Sequence, residues 1–221
     1  MAKSYPLHRD AASADRGPCA AHPASEKPTG LAFSLRPRDS LLHMRWPMLF
    51  AVASLGVCWG TAAWLYPGLP AQFPVHFALD GTPDRFAANT PGEWFLLPSL
   101  ATGLHLLFAF VLPWWIQRLA ARNSPFLNLP DKAAFAALPT AARVRAVAPM
   151  LGLLQLLAAE ITLLLAWILF GAAEVATGAW NALPAWMPLL AIPLIAATGL
   201  CALPVSTRAI ARERAAASPH T

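Results

Sequence analysis

Four long apolar segments constrain the fold of this chain more than any other feature of its sequence. They lie at residues 46–66, 94–117, 147–173 and 183–205. A helix needs about 20 residues to cross the hydrocarbon core of a bilayer, and each segment reaches that length. Because lipid offers no hydrogen-bond partners, the backbone of each segment must pair internally, as it does in a helix. The predicted fold class is therefore all-α, a polytopic four-helix transmembrane bundle within residues 44–205.

The composition agrees with a membrane protein. Hydrophobic residues make up 57% of the chain and charged residues only 12%, against about 25% charged residues in soluble domains. Tryptophans lie near the segment ends, as in the aromatic belts of membrane proteins; they are Trp46, Trp64, Trp94, Trp114, Trp115, Trp180 and Trp186. The bilayer is thus the first predicted partner.

Lysine and arginine are distributed very unevenly among the connecting segments. Residues 1–45 hold seven of them, residues 118–146 five and residues 206–221 three, whereas residues 67–93 hold Arg85 alone. The positive-inside rule then places both termini and the basic loop 118–146 in the cytoplasm, and the loop 67–93 outside. The net charge of +5 is explained by this topology, so nucleic acid is not a predicted partner.

The N-terminal 43 residues are rich in alanine, proline and serine and show no helical or strand period. We interpret residues 1–43 as a disordered cytoplasmic tail, with residues 206–221 as a second cytoplasmic tail. Met44 directly precedes the first apolar segment, so translation from Met1 and translation from Met44 both stay open.

Two features predict how the helices pack. Pro188 and Pro193 interrupt the fourth apolar segment, which predicts a kink there. Gly56 and Gly60 form a GxxxG motif in the first segment. We expect this motif to pack inside the bundle, with an oligomer interface as the alternative.

The loop 67–93 is dense in specific side chains. Its prolines and glycines exclude a long helix, and its apolar residues alternate from residue 73 to residue 79, which predicts a short strand. Asp80-Gly81 and Thr82-Pro83-Asp84 are turn sequences, so we expect a hairpin-like cap that serves either structure or ligand binding. The candidate residues are Pro74, His76, Phe77, Asp80, Gly81, Pro83, Asp84 and Arg85.

Three side chains of this loop are of types that bind metal ions. His76, Asp80 and Asp84 offer nitrogen and oxygen ligands, but their spacing matches no zinc pattern. We therefore predict no metal and no other cofactor.

The loop resembles the signature loop of the SdpI-type bacterial membrane proteins. The matching residues run Pro74-x-His76-Phe77-x3-Gly81-Thr82-Pro83-Asp84-Arg85-Phe86. A cytoplasmic motif is similar too, comprising Asn128, Pro130 and Lys132 and continuing to Phe135 and Leu138-Pro139. The family commonly has Trp at the position of Phe86 and often Lys at that of Asn89.

The resemblance implies a location in the bacterial cytoplasmic (inner) membrane. The signature domain has no assigned function in most relatives. The named members include an immunity protein that protects its producer from a secreted toxic peptide and sequesters a repressor at the membrane. The resemblance thus implies a peptide toxin or a cytoplasmic regulator as a partner.

Two ionisable residues lie in the middle of apolar segments, His105 in the second and Glu160 in the third. A charged side chain at this depth costs at least about 2.5 kcal/mol unless it is neutralised or paired. Since both lie near the same depth, we predict contact between His105 and Glu160, with Gln155 and Thr162 as helpers. A functional role and simple helix–helix attachment both stay open.

These observations predict a non-enzymatic membrane protein. The sequence shows no Ser-His-Asp set, no Gly-rich phosphate loop and no carboxylates paired closely in sequence. The leading expectation is resistance to membrane-active peptides, envelope stress or signalling. The alternative is a small proton-coupled transporter or channel subunit that uses Glu160 and His105.

Overall fold

The computed structural model of the protein describes residues 38–218, and the side chains of residues 46–218. The predicted disordered tail lies outside the described residues, apart from residues 38–43, where the first helix begins. The helices are α1 (Arg38–Leu65), α2 (Pro91–Trp94), α3 (Leu96–Leu106), α4 (Leu112–Ala121), α5 (Lys132–Ala137), α6 (Thr140–Ala176), α7 (Trp186–Leu200) and α8 (Ala202–Ala217). The strands β1 (Gln72–Phe77) and β2 (Pro83–Ala88) form one antiparallel hairpin.

Four helical stretches in the described part of the chain are long and apolar enough to cross a membrane. They are Trp46–Gly68, Pro91–Ala121, Thr140–Ala176 and Trp186–Ala217. The predicted four-helix class is therefore confirmed. Each of the four extends beyond its predicted segment at one end or both, because turns of polar sequence continue the helices past the apolar stretch.

Helix α6 is the centre of the bundle. Its 37 residues give a length of about 55 Å at 1.5 Å per residue, so it extends beyond a hydrocarbon core of about 30 Å. It contacts α1, α3, α4, α7, α8 and β1. Small side chains fill the middle of the bundle, where Cys58, Ala101 and Ala166 form a buried cluster and permit close helix approach.

The two ends of the bundle have separate apolar clusters. At the hairpin end, which carries residues 66–93 and 177–185, Phe73, Trp94 and Leu169 are buried together. At the opposite end, which we call the basic end, Leu127, Phe135 and Ile210 belong to a second cluster. The hairpin loop and the loop at the basic end are therefore each held to the bundle by an apolar cluster.

The GxxxG motif does not pack inside the bundle, contrary to the sequence expectation. Beyond the local backbone of α1, no heavy atom of the described residues lies within 4 Å of a Cβ placed at Gly56 or Gly60. The packed face of α1 is instead the stripe of Ala51, Ser54, Cys58 and Ala62, which are 0–2% exposed. These four recur every three or four residues, which is the period of one helix face, and the glycines lie on another face.

The interruption of the fourth span falls at Cys201, between α7 and α8, rather than at Pro188 or Pro193. Pro204 lies four residues after Leu200 and has no N–H to bond its carbonyl, so the helix is broken there. A π-helical turn at Leu107–Val111 precedes Pro113 in the same way. In both of these spans, the departure from regular α-helix lies just before a proline.

Candidate functional site

The hairpin that follows the first span is irregular for reasons visible in its sequence. Gln72 pairs with Ala88, and Pro74 with Phe86, but the register then shifts on both sides of His76. Pro74 has no N–H to donate to the ladder, which is tolerated in strands at edges or bulges. The next pairs are His76 with Arg85 and Phe77 with Pro83, so Val75 and Asp84 are left without partners in the ladder.

These bulges bring His76 and Asp84 together. The His76 Nδ1 atom lies 2.6 Å from the Asp84 Oδ1 atom. The two side chains are 57% and 47% exposed, so solvent weakens the attraction between them. The pair displays one ring nitrogen and one carboxylate oxygen on the outer surface of the hairpin.

Asp80 organises the turn of the hairpin. Its Oδ1 atom accepts hydrogen bonds from the Thr82 N–H at 2.9 Å and the Thr82 hydroxyl at 2.7 Å. These two hydrogen bonds lower the pKa of Asp80, the hydroxyl contributing more than the N–H, because both favour the carboxylate form. Asp80 is thus used within the turn. Among the described residues, no three side chains of the His, Cys, Asp or Glu types form a group suited to a metal ion.

Gly81 attaches the hairpin to the loop between the third and fourth spans. The Leu183 N–H donates a 2.8 Å hydrogen bond to the Gly81 carbonyl. Gly81 has φ of +84°, and a Cβ there would overlap the Leu183 carbonyl. Glycine is therefore required twice, for the left-handed backbone and for the close approach.

The base of the hairpin is fixed by Trp94 and Asn89. Trp94 is fully buried, packs edge-on against Phe73 at 5.1 Å, and donates from Nε1 to the Ala62 carbonyl at 2.9 Å. The Asn89 amide donates to the Leu69 carbonyl at 3.2 Å. Asn89 therefore closes the loop at its base, and sequence reasoning had not recognised Trp94 as part of the site.

A cavity of about 460 Å³ lies between the hairpin and the second and third spans. Phe77 and Phe86 of the hairpin, Leu96 and Leu100 of α3, and Ile168 and Ala172 of α6 contribute its apolar lining. Two charged residues, Arg85 and Glu93, line the same cavity. A volume of this size with an apolar wall and few polar groups is typical of small-molecule sites.

Charge separates the two ends of the molecule. The hairpin end, taken together with the last turn of α6, carries Asp80, Asp84, Glu93 and Glu174 against Arg85 alone. The basic end carries eight Lys or Arg residues against Asp131 and Glu213, counting only residues whose side chains are described. The formal charges are therefore −3 and +6 with neutral histidine.

The predicted contact between His105 and Glu160 is wrong. The His105 Nδ1 atom lies 3.4 Å from the Thr162 hydroxyl, whereas Glu160 accepts a 2.8 Å hydrogen bond from the Thr198 hydroxyl. Glu160 and Thr162 are two residues apart on α6, and such residues point in different directions. The prediction rested on similar depth along the spans, and depth does not fix the rotation of a helix about its axis.

Both ionisable side chains retain an atom without a partner. His105 Nε2 and Glu160 Oε2 are buried and form no hydrogen bond with any described residue. Of the two predicted helpers, Thr162 contacts His105, while Gln155 reaches only the sulfur of Met48 at 3.7 Å. Thr198 is a functional candidate that sequence reasoning missed; its position in the fourth apolar segment was the available signal.

The motif at the basic end has a structural role in this fold. Leu127 and Leu129 are buried on either side of exposed Asn128. The Lys132 ammonium donates to the Pro125 carbonyl at 2.8 Å, and Asp131 caps α5 through the Ala134 N–H. Pro130, between the buried leucine and the capping aspartate, is partly buried.

The fold and this arrangement define a multi-pass α-helical membrane protein with a hairpin cap. Residues 53–102 match the model of a domain of unknown function, DUF1648. The match covers the second half of the first span, the whole hairpin and the start of the second span, and it leaves the basic-end motif outside. No curated protein matches the chain, and no solved structure matches it.

Proposed function

We propose that this protein is a non-enzymatic bacterial inner-membrane protein that binds membrane-active peptides at its hairpin end. The proposed role is resistance of the SdpI type, in immunity, envelope stress or signalling. The observation that carries the proposal is the acidic and apolar surface of the hairpin. Its exposed carboxylates stand beside exposed apolar side chains, of which Leu79 is fully exposed and Phe86 is 52% exposed.

Such a surface suits a cationic amphipathic peptide. Opposite charge raises the rate of encounter, and exposed aromatic and aliphatic side chains offer contacts for the apolar face of the peptide. The hairpin is held at its turn by Leu183 and at its base by Trp94. A surface that is already ordered loses less conformational entropy on binding.

Three further features support this proposal. The match to DUF1648 covers the hairpin completely, and the loop resembles the signature loop of the SdpI-type proteins. The distribution of Lys and Arg favours an outward hairpin, where a secreted peptide would arrive. The basic end would then face the cytoplasm, where it could meet an acidic regulator or anionic lipid heads.

The test is survival of a bacterial strain with and without the protein in a panel of cationic amphipathic peptides. We expect protection by the wild type and its loss in the Asp80→Asn/Asp84→Asn double variant. The matched control is Arg85→Gln, which removes the single positive charge of the hairpin and should preserve protection. Direct binding in nanodiscs should weaken as salt increases.

Protection that is absent, or that survives the double variant unchanged, would contradict the proposal. His76→Ala removes the imidazole and keeps both carboxylates. Its comparison with the double variant shows whether protection needs the His76–Asp84 pair or only the negative charge. All variants must reach the membrane at wild-type levels, which membrane fractionation establishes.

A second function has one specific observation in its favour. His105 Nε2 and Glu160 Oε2 are buried without partners, and such intramembrane groups often mark ion or proton paths. A proton-coupled transporter or channel subunit should lose activity with Glu160→Gln while it tolerates the hairpin double variant. The peptide-binding protein should show the reverse pattern.

A further inference from the structure

The cavity under the hairpin lies where the apolar spans end and the polar loop begins. Its lower wall consists of Leu96, Leu100, Ile168 and Ala172. Leu96 and Leu100 are 64% and 53% exposed, so this wall is open on the side that faces the surroundings of the bundle. A ligand in this cavity could therefore enter sideways from the hydrocarbon.

Two opposite charges line the same cavity and do not pair with each other. Arg85 and Glu93 are both exposed. Among the described side chains, the ion pairs are His76–Asp84 and Arg145–Glu213. Arg85 and Glu93 therefore bring one positive and one negative charge to the cavity lining, and neither charge is neutralised by an ion pair with another described side chain.

We propose that this cavity binds one zwitterionic glycerophospholipid of the phosphatidylethanolamine class. An acyl chain would lie against Leu100 and Ile168, between the hairpin and the spans. The phosphate would bind the Arg85 guanidinium, which recognises phosphate through paired N–H donors. The ammonium would bind the Glu93 carboxylate.

The choice of head group follows from the charges. A singly anionic head group would bind Arg85 but be repelled by Glu93 and by Asp84, the neighbour of Arg85 in sequence. A zwitterion satisfies both charged residues. This site shares Phe86 with the hairpin surface proposed for peptides, but its head-group contacts are Arg85 and Glu93 rather than Asp80 and Asp84, and the inference does not rest on the proposed function.

The test uses the purified full chain, stripped of lipid in detergent and incubated with equal amounts of dioleoyl phosphatidylethanolamine and dioleoyl phosphatidylglycerol. Native mass spectrometry counts the lipids that each chain retains. We expect one phosphatidylethanolamine per chain in preference to phosphatidylglycerol. Arg85→Gln should lower the retained fraction about tenfold, since one charge-assisted contact is lost.

Glu93→Gln provides the sharpest readout, because it should shift the preference from phosphatidylethanolamine to phosphatidylglycerol rather than abolish binding. Ala172→Leu fills the cavity and should lower retention of both lipids. Arg122→Gln is the matched control, since Arg122 is an exposed arginine of the basic end, and it should change nothing. Thermal unfolding of each variant verifies the fold.

Equal retention of the two lipids by the wild type would overturn the assignment. So would unchanged binding in Arg85→Gln or unchanged preference in Glu93→Gln. If Ala172→Leu fails to fold, the two charge variants still decide, because their side chains lie at the surface. The two tests are independent. A negative result for lipid retention would not contradict the proposed peptide protection, and a negative result for peptide protection would not contradict lipid binding.

Discussion

Gly81 shows how a single residue connects two loops that are about 100 positions apart in the chain. Its carbonyl accepts the Leu183 N–H, and its missing side chain leaves room for the Leu183 carbonyl. Gly178 also has positive φ, at +80°, but no atom lies within 4 Å of its potential Cβ. A side chain at Gly178 would therefore add backbone strain alone, whereas a side chain at Gly81 would add backbone strain and steric overlap.

We predict that Gly81→Ala lowers the free energy of unfolding by about 2–3 kcal/mol, since it adds backbone strain and disrupts the Leu183 hydrogen bond. Gly178→Ala should cost only about 1 kcal/mol, from the left-handed backbone alone. Unfolding in mixed micelles titrated with denaturing detergent measures both. Equal losses in the two variants would show that the hairpin is not attached at Leu183.

The partners of Glu160 give a second prediction at the residue scale. A double-mutant cycle with Glu160→Ala and Thr198→Ala should give a coupling energy of about 0.6–1.7 kcal/mol, as for other hydrogen bonds between membrane helices. The cycle of Glu160→Ala with His105→Ala should give less than about 0.5 kcal/mol, since the two residues share no partner. A large coupling in the second cycle would restore the pair expected from sequence.

At the scale of elements, helix ends are closed by side chains from elsewhere in the chain. Arg143, near the start of α6, donates hydrogen bonds to the carbonyls of Ala120 and Ala121 at 2.9 and 3.1 Å. These residues form the last turn of α4, where carbonyls lack helical partners and a positive charge is favourable. The same guanidinium donates to the Leu138 carbonyl and the Thr140 hydroxyl, so it connects three segments.

We predict that Arg143→Met lowers the free energy of unfolding by about 2–3 kcal/mol, because backbone carbonyls lose a charged donor. Arg143→Lys should recover only part of this loss, since an ammonium cannot reproduce the planar fork of a guanidinium. Arg122→Met is the control and should change stability by less than about 0.5 kcal/mol. Unfolding in mixed micelles titrated with denaturing detergent is again the measurement. An unchanged free energy of unfolding in Arg143→Met would show that these hydrogen bonds do not stabilise the fold.

At the scale of the whole molecule, the charge difference between the ends predicts the orientation in the membrane. In a cysteine-free background, a membrane-impermeable maleimide should label Thr82→Cys in intact cells, because the hairpin would face outward. Ser218→Cys should be labelled only after the membrane is permeabilised. Labelling of Ser218→Cys in intact cells would reverse the assigned topology.

The sequence by itself determined the number of spans, the helical class and the existence of the hairpin. These follow from local properties, namely the length of apolar stretches, the alternation from Phe73 to Leu79, and the turn residues Asp80 and Gly81. Lipid demands internally paired backbone, so apolar length alone specifies a spanning helix. The break at Cys201 was missed because Pro204 acts four residues before its own position.

Only the tertiary structure decided which side chains meet. It separated His105 from Glu160, left Gly56 and Gly60 unpacked, and brought Leu183 to Gly81. Each outcome depends on the rotation of a helix about its axis or on the docking of a distant loop. Position along a span fixes the depth of a residue, and periodicity fixes the width of a helix face. Packing against several neighbours at once fixes the direction in which that face points.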